Sequence, residues 1–178
     1  MTILAKEKTN ISVDALEKIS NTDLADLCYN TEQAIKAGGG FGWITVPPRD
    51  VLKKYWNSML LTNTNTLIAG RLNGDIAGSM QLSFYPPNNE AQETIARIKS
   101  HFVAPWARGY GLAKAMIDYA IVKSKENNKI NIQLDIRETQ TAAIQLFESK
   151  GFIRWGENPK YAFINGNPIK GYYYYRNI

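Results

Sequence analysis

The chain has 178 residues, of which 44% are hydrophobic and 21% charged, and its formal net charge is +5 at pH 7. This composition excludes an intrinsically disordered chain and predicts a single globular domain over residues 1–178 with a sizeable core. Lys and Arg are scattered along the chain rather than clustered, which disfavours a nucleic-acid-binding protein. A basic surface would instead attract an anionic small molecule.

No apolar run approaches the length of a membrane span, and the first eight residues lack the apolar core of a signal peptide. We therefore expect a soluble cytoplasmic protein with no membrane partner. Cys28 is the only cysteine, so no internal disulfide can form, and we expect a small buried apolar residue there. The sequence leaves a homodimer open.

The N-terminal third predicts two helices. Residues 1–12 read as a loose lead-in, and Val13–Ala37 has a helical pattern that Gly38–Gly40 ends. The segment Phe41-Gly42-Trp43 is either a mobile loop over a ligand or a connector whose aromatic rings fill the core. Pro47-Pro48 then starts a second helix, in which apolar residues recur at three- and four-residue spacing.

Three strands follow, and they predict an antiparallel meander. Thr66–Leu72 and Ile76–Tyr85 are joined by the hairpin signal Asn73-Gly74-Asp75. Thr94–Val103 is the third strand and leads into a glycine-rich loop.

The rest of the chain alternates helices and strands, which completes a mixed α/β pattern. The predicted helices are Leu112–Lys123 and Thr141–Lys150, the second capped by Gly151. The predicted strands are Ile130–Ile136, Phe152–Trp155, Tyr161–Asn165 and Lys170–Arg176. Tyr172 to Tyr175 would alternate between the two faces of the last strand.

The loop Arg108-Gly109-Tyr110-Gly111 opens a helix and predicts an anion site. Backbone N–H groups are unpaired at a helix N-terminus, and the positive end of the helix dipole lies behind them. The dinucleotide fingerprint is excluded because Lys114 stands where a third small residue is required, and the Gly-Lys-Ser/Thr of a P-loop is absent. A plain turn before a helix remains the simpler alternative.

Two motifs resemble the signatures of the GNAT superfamily of acyl-CoA-dependent N-acyltransferases. Arg108-x-x-Gly111-x-Ala113, preceded by Val103-Ala-Pro105, is similar to the loop that holds the coenzyme pyrophosphate in that family. Ala143-Ile-Gln-Leu-Phe147-Glu-Ser-Lys-Gly-Phe152 is similar to its second signature. The two motifs occur in the family's order, separated by one helix and one strand.

The resemblance implies a mostly antiparallel mixed sheet of about six to seven strands, flanked by about four helices. It also implies a central parallel pair of strands that splay apart, with the pantetheine arm of acetyl-CoA in the gap. No metal is implied. The residues that the resemblance assigns to the coenzyme are Phe102, Val103, Arg108, Gly109, Tyr110, Gly111, Leu112, Ala113, Gln140, Ala143 and Phe147.

The implied chemistry is direct transfer of an acetyl group from acetyl-CoA to a primary amine of a small molecule or peptide. The family often has Tyr, the usual candidate acid, where this chain has Phe147, and Asn where it has Gln140. The candidate bases are Asp135, the pair Glu90 and Glu93, and His101, whose imidazole titrates near neutral pH. Each also has a structural or merely solvated role open to it.

The acceptor has no signature of its own, although Glu93 and the nearby Glu90 would favour a cationic amine if they lay at the mouth of the site. The missing tyrosine hydroxyl keeps a second interpretation open. In that interpretation the chain is a non-catalytic acyl-CoA-binding module that acts as a sensor or interaction domain.

Overall fold

The computed structural model describes residues 9–39 and 41–178. Within these ranges seven strands form one sheet, and four α-helices flank it. The strands are β1 (Ile11–Leu16), β2 (Asn65–Leu72), β3 (Asp75–Phe84), β4 (Ile95–Val103), β5 (Asn131–Arg137), β6 (Ile153–Ile164) and β7 (Asn167–Asn177). The helices are α1 (Asn21–Lys36), α2 (Arg49–Ser58), α3 (Leu112–Glu126) and α4 (Thr141–Ser149). No helix in the described part of the chain has the length and apolarity needed to cross a membrane.

The strand order β1-β2-β3-β4-β5-β7-β6 contains one parallel pair, β4 with β5. Every other neighbouring pair is antiparallel. The predicted mixed, mostly antiparallel sheet with a central parallel pair is therefore confirmed. The hairpin between β2 and β3 is confirmed too, since Asn73 and Gly74 both have positive φ, as a tight two-residue turn requires.

Two apolar clusters lie on opposite faces of the sheet. The first packs α3 and α4 against the sheet, and its largest fully buried side chains include Met116, Phe147 and Tyr174. The second packs α1 and α2 against the other face and includes Cys28 and Phe41. Cys28 is fully buried as predicted, and burial raises the pKa of its thiol. Phe41 is buried in this cluster and Trp43 packs against it, as expected for the connector alternative.

The prediction of one helix over Val13–Ala37 is wrong at its start. Residues 11–16 form β1, which pairs antiparallel with β2, and α1 begins at Asn21. Ile11, Val13 and Ala15 alternate with polar residues, which is a strand period rather than a helical one. The Ser20 hydroxyl caps α1 by accepting a hydrogen bond from the Asp23 N–H at 3.0 Å. Residues 1–8 of the predicted lead-in lie outside the described residues.

The predicted strands Phe152–Trp155 and Tyr161–Asn165 are parts of one long strand, β6. The pairing of β6 with β7 shifts twice, and the second shift lies between Asn158 and Ala162. Asn158 pairs with Gly171 and Ala162 pairs with Ile169, so four residues along β6 correspond to two along β7. Strand β6 therefore carries two extra residues beside Pro159. A bulge of this kind accommodates proline, which has no N–H to donate to a ladder.

The four consecutive tyrosines alternate between the faces of β7 as predicted. Tyr174 is fully buried in the α3/α4 cluster, and Tyr172 packs against the same cluster. On the opposite face, the Tyr173 ring centroid lies 5.6 Å from that of Trp155 and 6.3 Å from that of Tyr161.

Candidate functional site

The central feature of the site is a cleft between β4 and β5. The two strands pair only where Ile95–Arg97 lies beside Asn131–Gln133, and beyond those three pairs they diverge. The lining of the cleft consists of Ile98, Lys99, Ser100, His101, Leu134, Asp135, Ile136, Arg137, Gln140, Ala143, Phe147 and Tyr161.

A β-bulge in β4 accompanies the divergence. Ser79 and Gln81 on β3 face Phe102 and Lys99 on β4, so β4 carries one extra residue. Ser100 is in the left-handed region, with φ of +48°. The Tyr55 hydroxyl donates a hydrogen bond to Ser100 Oγ at 3.1 Å and fixes the bulge from the α2 side.

The bulge exchanges the faces of the residues that follow it, because strand side chains alternate with a period of two. Phe102 therefore packs in the α1/α2 cluster, with its ring 5.1 Å from that of Phe41. His101 faces the other way, with its ring 5.5 Å from that of Phe147 on α4. Val103 packs against the α3/α4 cluster. Phe102 is therefore absent from the lining of the cleft.

His101 lines the cleft as a neutral imidazole. Its Nε2 atom is buried, and no hydrogen-bond partner for it occurs among the described residues. Burial lowers the pKa of His101 to about 4. The expectation that this imidazole titrates near neutral pH is therefore wrong, because the protonated ring would have to lose its hydration.

The loop predicted to bind an anion follows β4 directly, at the end where the cleft opens. Gly109 and Gly111 both have φ of +85°, a left-handed conformation that glycine adopts without steric cost. Across residues 9–39 and 41–178, nothing accepts a hydrogen bond from the backbone N–H groups of residues 109–114. These six consecutive amides, at the positive end of the α3 dipole, suit a diphosphate.

The loop is anchored to the rest of the fold through its first turn. Residues 105–107 form a 3₁₀ turn, and Trp106 Nε1 donates a hydrogen bond to Asn30 Oδ1 at 2.8 Å. The Asn30 side-chain amide in turn donates to the Ile76 carbonyl at 2.6 Å. The loop residues 108–111 are exposed, whereas the side chain of Leu112, the first residue of α3, is buried.

The residues predicted on α4 come together in the cleft. Gln140, Ala143 and Phe147 all line it, and Phe147 is only 2% exposed. Gln140 Nε2 also donates a hydrogen bond to the Gly38 carbonyl at 2.6 Å. The amide predicted to contact the coenzyme thus ties the cleft to the connection between α1 and α2.

Glu93 is not brought to the cleft. It follows the 3₁₀ turn Glu90–Gln92, next to the paired end of β4. Most of the eight steps from Glu93 to His101 are strand β4, which at the usual rise per residue spans up to about 25 Å. The two glutamates that would favour a cationic acceptor therefore lie far from the open end of the cleft.

Asp135 does lie in the cleft, and it has a partner that the sequence analysis missed. Its Oδ2 accepts a hydrogen bond from the hydroxyl of Tyr161, and its Oδ1 lies 3.5 Å from Arg97 Nη2. Burial, followed by the hydrogen bond to Asp135, raises the pKa of Tyr161. No local sequence signal identifies Tyr161, because the β6 bulge is what places it beside Asp135.

A second cavity of about 310 Å³ adjoins the cleft and shares Arg137 and Tyr161 with it. The Arg137 Nη2 group donates hydrogen bonds to the carbonyls of Gly39 at 2.8 Å and Phe41 at 3.1 Å. The other lining residues are Phe41, Gly42, Ile44, Ala162, Phe163 and Ile164. This cavity therefore combines apolar side chains with polar groups, and Arg137 and Tyr161 lie where it meets the cleft.

Comparison with known proteins gives consistent results. The family model for the acetyltransferase (GNAT) family matches residues 28–152. An uncharacterised N-acetyltransferase from the hisH–hisA intergenic region of Azospirillum brasilense is 41% identical over 132 residues, which cover 74% of this chain and 79% of the relative.

Two solved structures share the fold at low sequence identity. An N-acetyltransferase from Staphylococcus aureus Mu50 superposes with a TM-score of 0.79 at 18% identity, covering 94% of this chain and 98% of that one. A phosphinothricin acetyltransferase from Sinorhizobium meliloti, solved in complex with acetyl-CoA, gives a TM-score of 0.78 at 16% identity and covers 94% and 88%. With a family model spanning most of the chain and a relative of this identity and coverage, the chain belongs to the GNAT family of acetyltransferases.

Proposed function

We propose that the protein is an acetyl-CoA-dependent N-acetyltransferase that transfers an acetyl group to a primary amine of a small molecule or peptide. The observation that carries this proposal is the continuity of two features, the cleft between β4 and β5 and the unpaired amides of residues 109–114 at its open end. Acetyl-CoA combines an extended arm with a diphosphate, and it supplies the acetyl group as a thioester. Family neighbours solved with acetyl-CoA support the same cosubstrate.

The residues present fit this cosubstrate. The amides of residues 109–114 would bind the diphosphate, and the exposed Arg108 would add a cation beside it. A Cβ added to Gly109 or Gly111 would meet no atom within 4 Å, so the outer side of the loop is open to a ligand. The gap-facing backbone of β4 would hold the arm as an added strand does.

At the inner end of the cleft, Ala143 and Phe147 would line the thioester. An N–H group of β4 beyond the Ser100 bulge would stabilise the negative charge that develops on the carbonyl oxygen. The neutral ring of His101 would contribute shape and a hydrogen bond rather than charge, since its pKa lies near 4. The chain would therefore act by positioning and by proton transfer, without a covalent enzyme intermediate.

The second cavity supports an acceptor whose amine carries an apolar group. Phe41, Ile44 and Phe163 would contact that group, while the amine would reach the cleft beside Arg137 and Tyr161. Arg137 and Lys99 line the cleft with a single acidic side chain, Asp135, which disfavours an acceptor with several positive charges.

The second candidate function is a non-catalytic acyl-CoA-binding module. The observation that favours it is the buried Phe147, which contacts His101 and Phe152 through its ring edges and has no hydroxyl to donate. Such a module would bind the coenzyme in the same cleft without turning it over.

Calorimetric titration with acetyl-CoA, followed by a thiol-release assay over a panel of amines, tests both candidates. The panel should pair each apolar amine with a polyamine of similar size. Arg108→Glu should weaken coenzyme binding strongly, and Lys125→Glu, an exposed change of the same charge near the far end of α3, is the matched control. Binding without thiol release for any amine would favour the module, and absence of binding would contradict both candidates.

A further inference from the structure

The proposed function leaves the deprotonation of the acceptor amine unassigned, and the Tyr161–Asp135 pair lies where that step must occur. We propose that these two residues form a proton relay, in which Tyr161 contacts the acceptor nitrogen and Asp135 receives the proton. This inference rests on the proposed function, because it concerns one step of the same reaction.

The first argument is position. Among the described residues, only Tyr161 and Arg137 line both the cleft and the second cavity. An amine bound in that cavity and directed at the cleft therefore passes Tyr161. Glu93 does not fit, since it lies at the paired end of β4.

The second argument is rigidity. The Tyr161 ring lies directly over Gly171 of β7, at the place a side chain there would occupy, because a Cβ on that glycine would come within 2.1 Å of the ring. Two residues farther along β7, the Tyr173 ring packs edge to face against the Tyr161 ring at 6.3 Å. A hydroxyl held by these contacts and by its hydrogen bond to Asp135 meets the positional requirement for general acid–base catalysis.

The third argument is the direction of the hydrogen bond. A phenol has one proton, and that of Tyr161 is donated to Asp135 Oδ2. The hydroxyl can therefore offer only its lone pairs to a ligand, so it acts towards an ammonium group as a proton acceptor. Burial and the carboxylate of Asp135 also raise the pKa of Tyr161. The phenol therefore keeps its own proton until the ammonium proton of the acceptor reaches its oxygen.

The acceptor amine enters the site as an ammonium ion. Its nitrogen gives one proton to Tyr161 Oη while the phenol's own proton moves to Asp135 Oδ2. Tyr161 stays neutral, and Asp135 becomes a carboxylic acid. The nitrogen lone pair then forms the C–N bond as the C–S bond breaks and the bonding electrons leave with sulfur. A second nitrogen proton ends on that sulfur as a thiol, and Asp135 returns its proton to solvent.

Charged and titratable groups surround the relay from three strands. Arg97 and the neutral His101 face it from β4, Arg137 lies beside it on β5, and Tyr173 packs against it from β7. Because burial lowers the pKa of His101 to about 4, this ring stays neutral above about pH 6 and does not change charge beside the relay there.

Tyr161→Phe and Asp135→Asn remove the two members of the relay while keeping their shapes. Each should lower kcat by about 10²-fold or more, with the affinity for acetyl-CoA changed less than threefold. Tyr175→Phe is the matched control, because it removes a tyrosine hydroxyl from the same strand, β7, at a residue that lines neither the cleft nor the second cavity. Its kcat should stay within twofold of that of the unmodified protein.

The pH profile separates a relay from a structural role. The loss in Tyr161→Phe should be largest below the pKa of the acceptor amine and should shrink above it, because a neutral amine no longer needs the relay. An α-amino acceptor, with a pKa of about 8, should lose less at pH 8.5 than an alkyl amine with a pKa of about 10. A loss that is the same at every pH and for both amines would overturn the relay.

A readout independent of turnover is the ultraviolet titration of tyrosine. Subtracting the spectrum of Tyr161→Phe isolates the ionisation of Tyr161, and Asp135→Asn should lower its pKa towards the ordinary value. An unchanged pKa would overturn the pair. Transfer by Tyr161→Phe within threefold of normal would overturn the relay alone, whereas no transfer by the unmodified protein would overturn the proposed function and the relay with it.

Discussion

Gly171→Ala tests how the fold places Tyr161. The new Cβ would come within 2.1 Å of Tyr161 Cγ and 2.3 Å of Cδ2, distances at which the ring must move. Since the ring directs the hydroxyl at Asp135, its displacement should break that hydrogen bond as well. The variant should therefore lose both stability and acetyl transfer.

The expected change in the free energy of unfolding differs between a background that has the Tyr161 ring and one that lacks it. Beside Tyr161, the extra methyl group should lower the free energy of unfolding by about 1–3 kcal/mol. In a Tyr161→Ala background the same change should raise it by about 0.4–1 kcal/mol, because φ of Gly171 is not positive and alanine restricts the unfolded chain. The difference is a coupling energy of about 1.4–4 kcal/mol.

Urea unfolding of the four proteins in this cycle, at one pH and salt concentration, measures the coupling. A Gly171→Ala cost that is equal in both backgrounds would refute the reasoning, because the methyl group would then clash with something other than the ring. Transfer activity provides a second check, since Gly171→Ala should add little to the loss already caused by Tyr161→Phe.

Three further predictions concern the coenzyme loop, the missing hydroxyl and the buried imidazole. Arg108→Glu should raise the Kd for acetyl-CoA at least tenfold by calorimetry, about 1.4 kcal/mol, and an unchanged Kd would remove Arg108 from the site. Phe147→Tyr should lower the free energy of unfolding by about 1–3 kcal/mol, because it adds a hydroxyl to a side chain that is 2% exposed. The same change should not raise kcat. A tenfold rise in kcat would show that the absent hydroxyl limits the reaction. Because the pKa of His101 is lowered to about 4 in the folded protein, stability should fall by about 3 kcal/mol as pH drops from 6.5 to 4. Urea unfolding of His101→Gln over the same pH range should lack that part of the slope, and an identical slope in both proteins would contradict the assignment.

The two signatures and most of the helices and strands could be predicted because each is encoded by residues close together in the sequence. Turn residues, helical spacing and the order of the two signatures lie within short windows, and Gly111 at the start of α3 and Gly151 after α4 are both at positive φ as their positions suggested. The single domain over residues 1–178 stays a prediction.

The features that the sequence did not predict depend on pairing between distant strands. The Ser100 bulge is set by the register of β4 against β3, and the place of Tyr161 by the register of β6 against β7. The first exchanged the faces of His101 and Phe102, and the second created the contact with Asp135. Strand β1 was missed because six residues at a sheet edge carry too short a pattern to separate from the helix that follows.

The short pairing between β4 and β5 divides the sheet into two leaves. One leaf holds β1 to β4 and the other holds β5, β7 and β6, and the ladder between β4 and β5 joins them through three residue pairs in the described part of the chain. Past Arg97 and Gln133, alternate amides on the inner edge of each leaf face the gap instead of a neighbouring strand. These amides should exchange with solvent deuterium much faster than those on the outer edges of the same strands. Slower exchange along the β4 edge alone, when coenzyme is added, would show directly which leaf receives the pantetheine arm.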